Sequence, residues 1–338
     1  MSFNLLILIW FDGNKRNLPW RSETNPYKIW LSEVILQQTR VIQGIDYYNN
    51  FCAAYPELKD LAEADEQEVL KLWQGLGYYS RARNLHFSAK YILNELNGRF
   101  PDNYNELLKL KGVGEYTAAA IASIAFGEAV PAIDGNAFRV FARYFDIDLD
   151  ISEAKTKKYF FELGKKIIDP KRPGDFNEAV MELGATVCLP NNPKCEICPL
   201  NESCAALAKG NIERRPVKTN KLKVKNRKLN FLEITDGKAV LMKKREKNDI
   251  WKNLYCFPLD KEGADSFIHS ATLKFEKTHE EIHLLTHQKL EIHFWQLHTN
   301  TRQLKEFSKQ LNAEIFKPDE IFLLPVPKPI EKYLNQKI

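Results

Sequence analysis

Two carboxylic acids and four clustered cysteines are the residues whose types and spacing suit chemistry. Glu33 sits in Trp30-Leu-Ser-Glu-Val-Ile-Leu-Gln-Gln-Thr39, and every neighbour from Ile29 to Thr39 is apolar or uncharged. A helical glutamate there is either exposed or partly desolvated, and desolvation raises a carboxyl pKa and suits a general acid. Asp134, in Ala132-Ile-Asp-Gly-Asn136, precedes a helical pattern that starts near Ala137. It can cap that helix, or stabilise a developing cation from a constrained turn. Two carboxyls in unlike environments meet the needs of glycosidic bond cleavage. One protonates the leaving group and the other stabilises an oxocarbenium-like state.

Four cysteines fall in one loop as Cys188-x6-Cys195-x2-Cys198-x5-Cys204, with Pro190, Pro193 and Pro199 between them. Such thiolates suit a metal centre, either structural zinc or an iron–sulfur cluster. Zinc sites usually pair two short CxxC knuckles, and a lone CxxC leans toward iron–sulfur. Cys52 and Cys256 lie in apolar surroundings and read as buried hydrophobes. A third feature is Leu110-Lys111-Gly112-Val113-Gly114, a two-glycine turn after a short helix over Asn105–Lys109 and before another helix. Either it simply joins packed helices, or Gly112, Val113 and Gly114 let a phosphate approach the free N–H groups of the second helix. That contact positions a duplex without reading its sequence.

The elements that must hold these residues are helical over 1–213. Apolar spacing predicts helices over Trp30–Val41, Glu66–Trp73, Ala82–Leu96, Thr117–Phe126, Ala137–Phe145, Lys155–Ile168 and Asn177–Val187. Glycine and proline breakers separate them, and Leu5–Trp10 reads as a core helix, not a signal peptide. Arg214–Lys228 holds eight basic residues and no acid, and reads as a linker that can also lie along phosphates. Beyond it, 229–338 turns α/β. Leu229–Thr235 and Lys238–Met242 flank an Asp236-Gly237 hairpin turn, Leu290–Leu297 alternates as a strand, and Gln303–Leu311 and the C-terminus are helical.

The composition sets the outer bounds. At 338 residues the chain has room for two domains, and 44% apolar residues with ordinary Gly and Pro content exclude wholesale disorder. No stretch approaches the 18 or so apolar residues of a membrane span. A cytoplasmic, nucleoid-associated protein without membrane contact is expected. The net charge of +5 is informative only because it is concentrated at 214–228.

The turn, Asp134 and the cysteine loop, in this order and spacing, resemble the endonuclease III superfamily of helix-hairpin-helix DNA glycosylases. Leu18-Pro-Trp-Arg21, Ser32–Thr39, Gly75-Leu-Gly-Tyr-Tyr-Ser-Arg81 and a second domain are similar to its MutY-type adenine-specific branch. The resemblance implies a mainly α catalytic domain with an iron–sulfur loop, and a C-terminal MutT-like (Nudix-like) domain that recognises 8-oxoguanine. It implies a monofunctional enzyme, a monomer on duplex DNA, that flips adenine out of A:8-oxoguanine or A:G mispairs and hydrolyses its glycosidic bond. Glu33 would protonate adenine N7 and then activate water, and Asp134 would stabilise the oxocarbenium ion beside Tyr116 and Asn136. Leu18, Trp20, Arg21 and Glu178 would surround the adenine, and Gln38 and Tyr78 would insert into the base stack. Cys188, Cys195, Cys198 and Cys204 would bind [4Fe–4S].

Strand-cutting relatives carry a lysine nucleophile two residues after the turn, where this chain has Tyr116, which cannot form an imine. A glycosylase/lyase acting on oxidised pyrimidines is the competing enzyme, and a non-catalytic iron–sulfur DNA-binding protein the competing class. In the second domain Trp251, Leu254, Tyr255, Phe257 and Pro258 resemble the family's W-x2-LY-x-FP stretch, with Tyr255 and Phe257 expected in the core. The family's Phe-Ser-His loop appears as Leu285-Thr286-His287, which keeps a hydroxyl and loses the aromatic ring. The pyrophosphohydrolase signature is missing, so this domain is expected to bind and not to hydrolyse.

Overall fold

A computed structural model describes residues 2–219, 224–246, 249–260, 266–269 and 272–337. The chain opens on helices α1 (Phe3–Asn14), α2 (Pro26–Leu36), α3 (Val41–Ala54), α4 (Leu58–Glu63), α5 (Glu66–Leu72) and α6 (Ser80–Glu95). It continues through α7 (Tyr104–Leu107), α8 (Glu115–Phe126), α9 (Gly135–Tyr144), α10 (Ala154–Ile167), α11 (Pro173–Thr186) and α12 (Ala205–Ala208). Strands β1 (Lys225–Thr235), β2 (Val240–Lys244), β3 (Tyr255–Cys256), β4 (Glu276–Leu284), β5 (Gln288–His298) and β6 (Glu314–Phe316) follow, with α13 (Thr301–Leu311), α14 (Pro318–Ile321) and α15 (Lys328–Asn335). No helix among the described residues is long and apolar enough to cross a membrane.

Two compact units divide the chain without following it contiguously. One comprises Met1–Glu63 and Asn84–Asn220, the other Ala64–Arg83 and Lys221–Ile338. The segment Ala64–Arg83, expected with the helical half, is bonded into the C-terminal unit instead. Lys71 Nζ donates to the carbonyls of Phe322 (2.7 Å) and Leu324 (3.2 Å), and Arg83 to that of Lys252 (2.8 Å).

In the first unit, α1 buries Phe3, Ile7, Leu8 and Phe11 in one cluster with Phe141, Phe160, Phe176 and Leu183. Each such side chain contributes about 1.5–3 kcal/mol when fully buried. Helix α2 starts on Pro26 behind an Asn25 cap that accepts from Tyr27 N, and packs on α8. The alanines 118, 119, 120 and 122 of α8 are all buried and admit close approach. The helix expected to run through Val41 stops at Leu36. Gln38 takes a left-handed φ of 57°, and α3 comes so close that a Cβ on Gly44 would lie 2.8 Å from Leu36 Cδ2.

The second unit is a mixed sheet of order β3-β2-β1-β5-β4, with β6 on β2 and with β1 and β5 parallel. Leu232 and Ile234 pack with Leu304 and Leu311 of α13. Phe294 stacks on Tyr333 of α15 at 4.0 Å, and Tyr333 donates to Glu233 at 2.6 Å. The sheet is thus covered on both faces. Strand β1 begins at Lys225, four residues earlier than its apolar pattern, because β5 supplies parallel partners from Gln288 onward. The expected linker is correspondingly shorter. Two of its cations are ion-paired, Arg215 with Asp146 (2.9 Å) and Arg227 with Asp249 (2.6 Å), while Lys221 and Lys223 lie outside the described residues. Strand β4 escaped the sequence reading because most of it is exposed and it lacks an apolar face. Phe257 is core as expected; Tyr255 is half-buried and directs its hydroxyl to Glu314.

Candidate active site

Glu33 is 7% exposed on α2, although it is a carboxylic acid. Burial pushes its pKa up to about 7; the Tyr116 hydroxyl opposes this, and the charges of Glu178 and Asp134 add to it. Tyr116 is the second residue of α8, and its hydroxyl reaches both Glu33 and Met181 Sδ (3.1 Å). Burial also pushes the phenol well above its usual range.

Asp134 both caps α9 and faces the same site. Its Oδ1 accepts from Ala137 N at 2.7 Å, and its Oδ2 accepts from Asn136 Nδ2 at 2.8 Å. Burial raises its pKa, and these two N–H groups pull it back by favouring the ionised form. The capping and the electrostatic readings are therefore compatible at one residue. The loop before it is braced by Asn177, which accepts from Ala132 N and donates to Val130 O.

Arg21 reaches this group from the α1–α2 loop. Its Nη1 lies 3.1 Å from Glu178 and its Nη2 2.7 Å from Glu182, one turn apart on α11. Burial raises Glu178 to about 7 against the pull of Arg21. Burial works the same way on Glu182, but Arg16 and Arg21 overcome it and hold that carboxylate below its usual value. Glu33, Tyr116, Asp134, Asn136, Arg21 and Glu178 thus share one buried electrostatic site. Leu18 and Trp20 are buried in the same unit, with Trp20 edge-on to Tyr48 at 5.4 Å.

Arg139 and Glu182 went unnoticed in the sequence. The Arg139 guanidinium donates to Asn136 Oδ1, Gly184 O and Cys188 O, each at 2.7 Å. A Cβ on Gly184 would lie 2.5 Å from that of Asn136, so the close approach of α11 to α9 requires glycine there. That glycine was the only local signal.

The turn before α8 has Gly112 at φ 85°, with Val113 largely buried and Gly114 as a cap that offers no side chain. The first N–H groups of α8 therefore lack intrahelical partners. Gln38 and Tyr78 each sit at a turn with positive φ, 57° and 48°. In the second unit, Thr286 and His287 form the tip of the β4–β5 hairpin, and the Thr286 hydroxyl is hydrogen-bonded to that of Tyr78.

Cys188, Cys195, Cys198 and Cys204 are unpaired thiols around one cavity. Among the described residues, no group of three or more His, Cys, Asp or Glu side chains is gathered to hold a metal ion as it stands. Burial pushes the thiols of Cys195, Cys198 and Cys204 up, Cys198 to about 11, and neighbouring N–H groups oppose this by favouring the thiolates. Backbone N–H groups of Leu200, Ala206 and Leu207 point at Cys198 and Cys204, and Arg143 Nη1 lies 3.4 Å from Cys188 Sγ. Cys256 is buried and Cys52 half-buried.

A model of the HhH-GPD superfamily base excision DNA repair protein matches residues 31–166, and a NUDIX domain model matches 230–336. The adenine DNA glycosylase of Buchnera aphidicola subsp. Schizaphis graminum is 33% identical over 98% of this chain and 98% of its own length. The chain belongs to the adenine DNA glycosylase family. The human adenine DNA glycosylase is 46% identical over 61% of this chain and 39% of its own. Among solved structures, a thermostable thymine-DNA glycosylase is 31% identical with a TM-score of 0.57, covering 61% of this chain and 95% of that one. An endonuclease III–DNA complex at 23% identity and a TM-score of 0.53 shares the fold over 61% of this chain and 94% of its own. These matches agree with a helical glycosylase domain joined to a Nudix-type α/β domain, and with a hydrolase of base excision repair.

Proposed function

We propose that the protein hydrolyses the bond between adenine and deoxyribose in duplex DNA, where adenine is mispaired with 8-oxoguanine or guanine, and leaves an abasic site. The observation that carries this reading is the pairing of unlike acids. Glu33 has its pKa lifted to about 7 and is protonated in part at neutral pH, while Asp134 accepts two N–H hydrogen bonds that favour its charge. The flipped adenine takes a proton from Glu33 on its ring nitrogen N7, which makes the base a neutral leaving group. Positive charge then develops at C1′ and the ring oxygen, where Asp134 stabilises it. Glu33, now ionised, accepts a proton from the water that attacks C1′. Tyr116 and Asn136 position the two acids, and Arg21 and Glu178 border the base pocket with Leu18 and Trp20.

Tyr116 stands where an imine-forming lysine would be needed, so the reaction ends at hydrolysis. The Gly112–Gly114 turn grips backbone phosphate, Gln38 and Tyr78 wedge the stack, and Thr286 with His287 reads 8-oxoguanine. Cys188, Cys195, Cys198 and Cys204 would hold a [4Fe–4S] cluster through thiolates, and the N–H groups aimed at Cys198 and Cys204 support that assignment. Such a cluster would supply structure to the loop. The test is adenine release from duplexes holding A opposite 8-oxoguanine, scored for strand breaks before and after alkali.

A further inference from the structure

The hairpin turn departs from a plain glycine turn at Lys111, and its neighbours show what the lysine does. Its backbone is fixed. The carbonyl accepts from Ser88 Oγ at 3.0 Å, and the next residue, Gly112, lies against Asn84, where a Cβ would approach Asn84 Cβ to 2.7 Å. Its side chain has a partner as well. The ammonium lies over the ring of Phe87, 4.4 Å from the centroid, and that ring is 54% exposed on α6. An exposed phenylalanine usually wastes apolar surface. Here it serves as a platform that keeps the lysine from sweeping through its rotamers.

No ion pair with an acid engages Lys111 among the described residues. A ring takes only one side of an ammonium, so its donors remain open to solvent on the other. These donors stand three residues before Gly114, where the free N–H groups of α8 begin.

We propose that Lys111, held in place by Phe87, is a second backbone-phosphate contact next to the hairpin, acting on any duplex whatever its sequence. This rests on the reading of the turn as a DNA-binding element. It assigns a partner chemistry, the phosphodiester anion, to a cation–aromatic pair on α6 and the turn.

The experiment measures binding of the full chain to a matched duplex and to an A:8-oxoguanine duplex over a series of salt concentrations. Removing one phosphate contact weakens binding about equally on all sequences and lowers the logarithmic salt slope by about 1. Lys111→Ala is expected to do both on both duplexes, Lys111→Arg to restore the slope, and Phe87→Leu to weaken binding severalfold with the slope retained. If Lys111→Ala leaves slope and affinity as in the parent, or weakens only the mispair, the proposal is overturned. A parent protein that binds neither duplex overturns the DNA-binding reading itself.

Discussion

Arg139 joins Asn136 to the cysteine loop. One nitrogen of its guanidinium donates to Asn136 Oδ1 at 2.7 Å, and another donates to the carbonyl of Cys188 at 2.7 Å. Asn136 in turn donates to Asp134. The Asp134 carboxylate is therefore oriented through a chain of hydrogen bonds that ends at the first cysteine. Arg139→Lys keeps the charge and loses the fork. Hydrogen bonds to charged groups contribute about 1.5–3 kcal/mol each, so adenine release is expected to fall on the order of tenfold or more. Single-turnover assays beside equilibrium DNA binding check this. Equal losses in both would show that Arg139 acts on the fold as a whole.

Glu33→Gln is expected to reduce adenine release by about 10²–10⁴, the usual contribution of a general acid, with DNA affinity retained. It should also stabilise the protein. The carboxyl has an ordinary value of 4.5 unfolded and about 7 folded, so between those values the folded state binds more protons and stability falls as pH rises. Removing the ionisable group should add on the order of 2 kcal/mol at pH 7.5 and flatten that slope. Thermal melts at pH 5 and 7.5 check it; a variant less stable than the parent at pH 7.5 contradicts it. For the parent, the rate should decline as pH rises through about 7, where the Glu33–Glu178 pair loses its protons.

Asp134 permits a separation of its two tasks. Asparagine caps helices as well as aspartate, so Asp134→Asn should keep the bond to Ala137 N and melt within about 1 kcal/mol of the parent. Asp134→Ala should lose about 1 kcal/mol more. Both should collapse adenine release. If Asp134→Asn keeps activity while Asp134→Ala loses it, the charge is not the catalytic feature.

The four-cysteine loop should make the purified protein brown, with iron and sulfide in the ratio of a [4Fe–4S] cluster. Cys198→Ser should bleach it. A colourless protein carrying stoichiometric zinc would show that the thiols serve a single ion.

Much of the site was legible because desolvation has a sequence signature. Glu33 stood out as the one acid in an apolar run, and burial is the first cause of its shift. Asp134 stood out by its place before a helix. Arg139 did not, because a basic residue on an amphipathic helix looks solvated, and two of its partners are backbone carbonyls 45 and 49 residues away. The end of α2 at Leu36 was hidden as well: Gln38 turns the chain with a left-handed φ of 57° and Gly44 admits α3 close to Leu36, and the apolar pattern carries neither. The attachment of Ala64–Arg83 to the C-terminal unit depends on Lys71 and Arg83 meeting distant carbonyls, which carry no pattern at all.

The central claim is hydrolysis of the adenine glycosidic bond without strand cleavage. One end-labelled duplex with adenine opposite 8-oxoguanine, incubated with the protein and analysed with and without alkali, tests it directly. Free adenine is expected, with cleaved strands only after alkali. Strand breaks without alkali, or no adenine release, would contradict it.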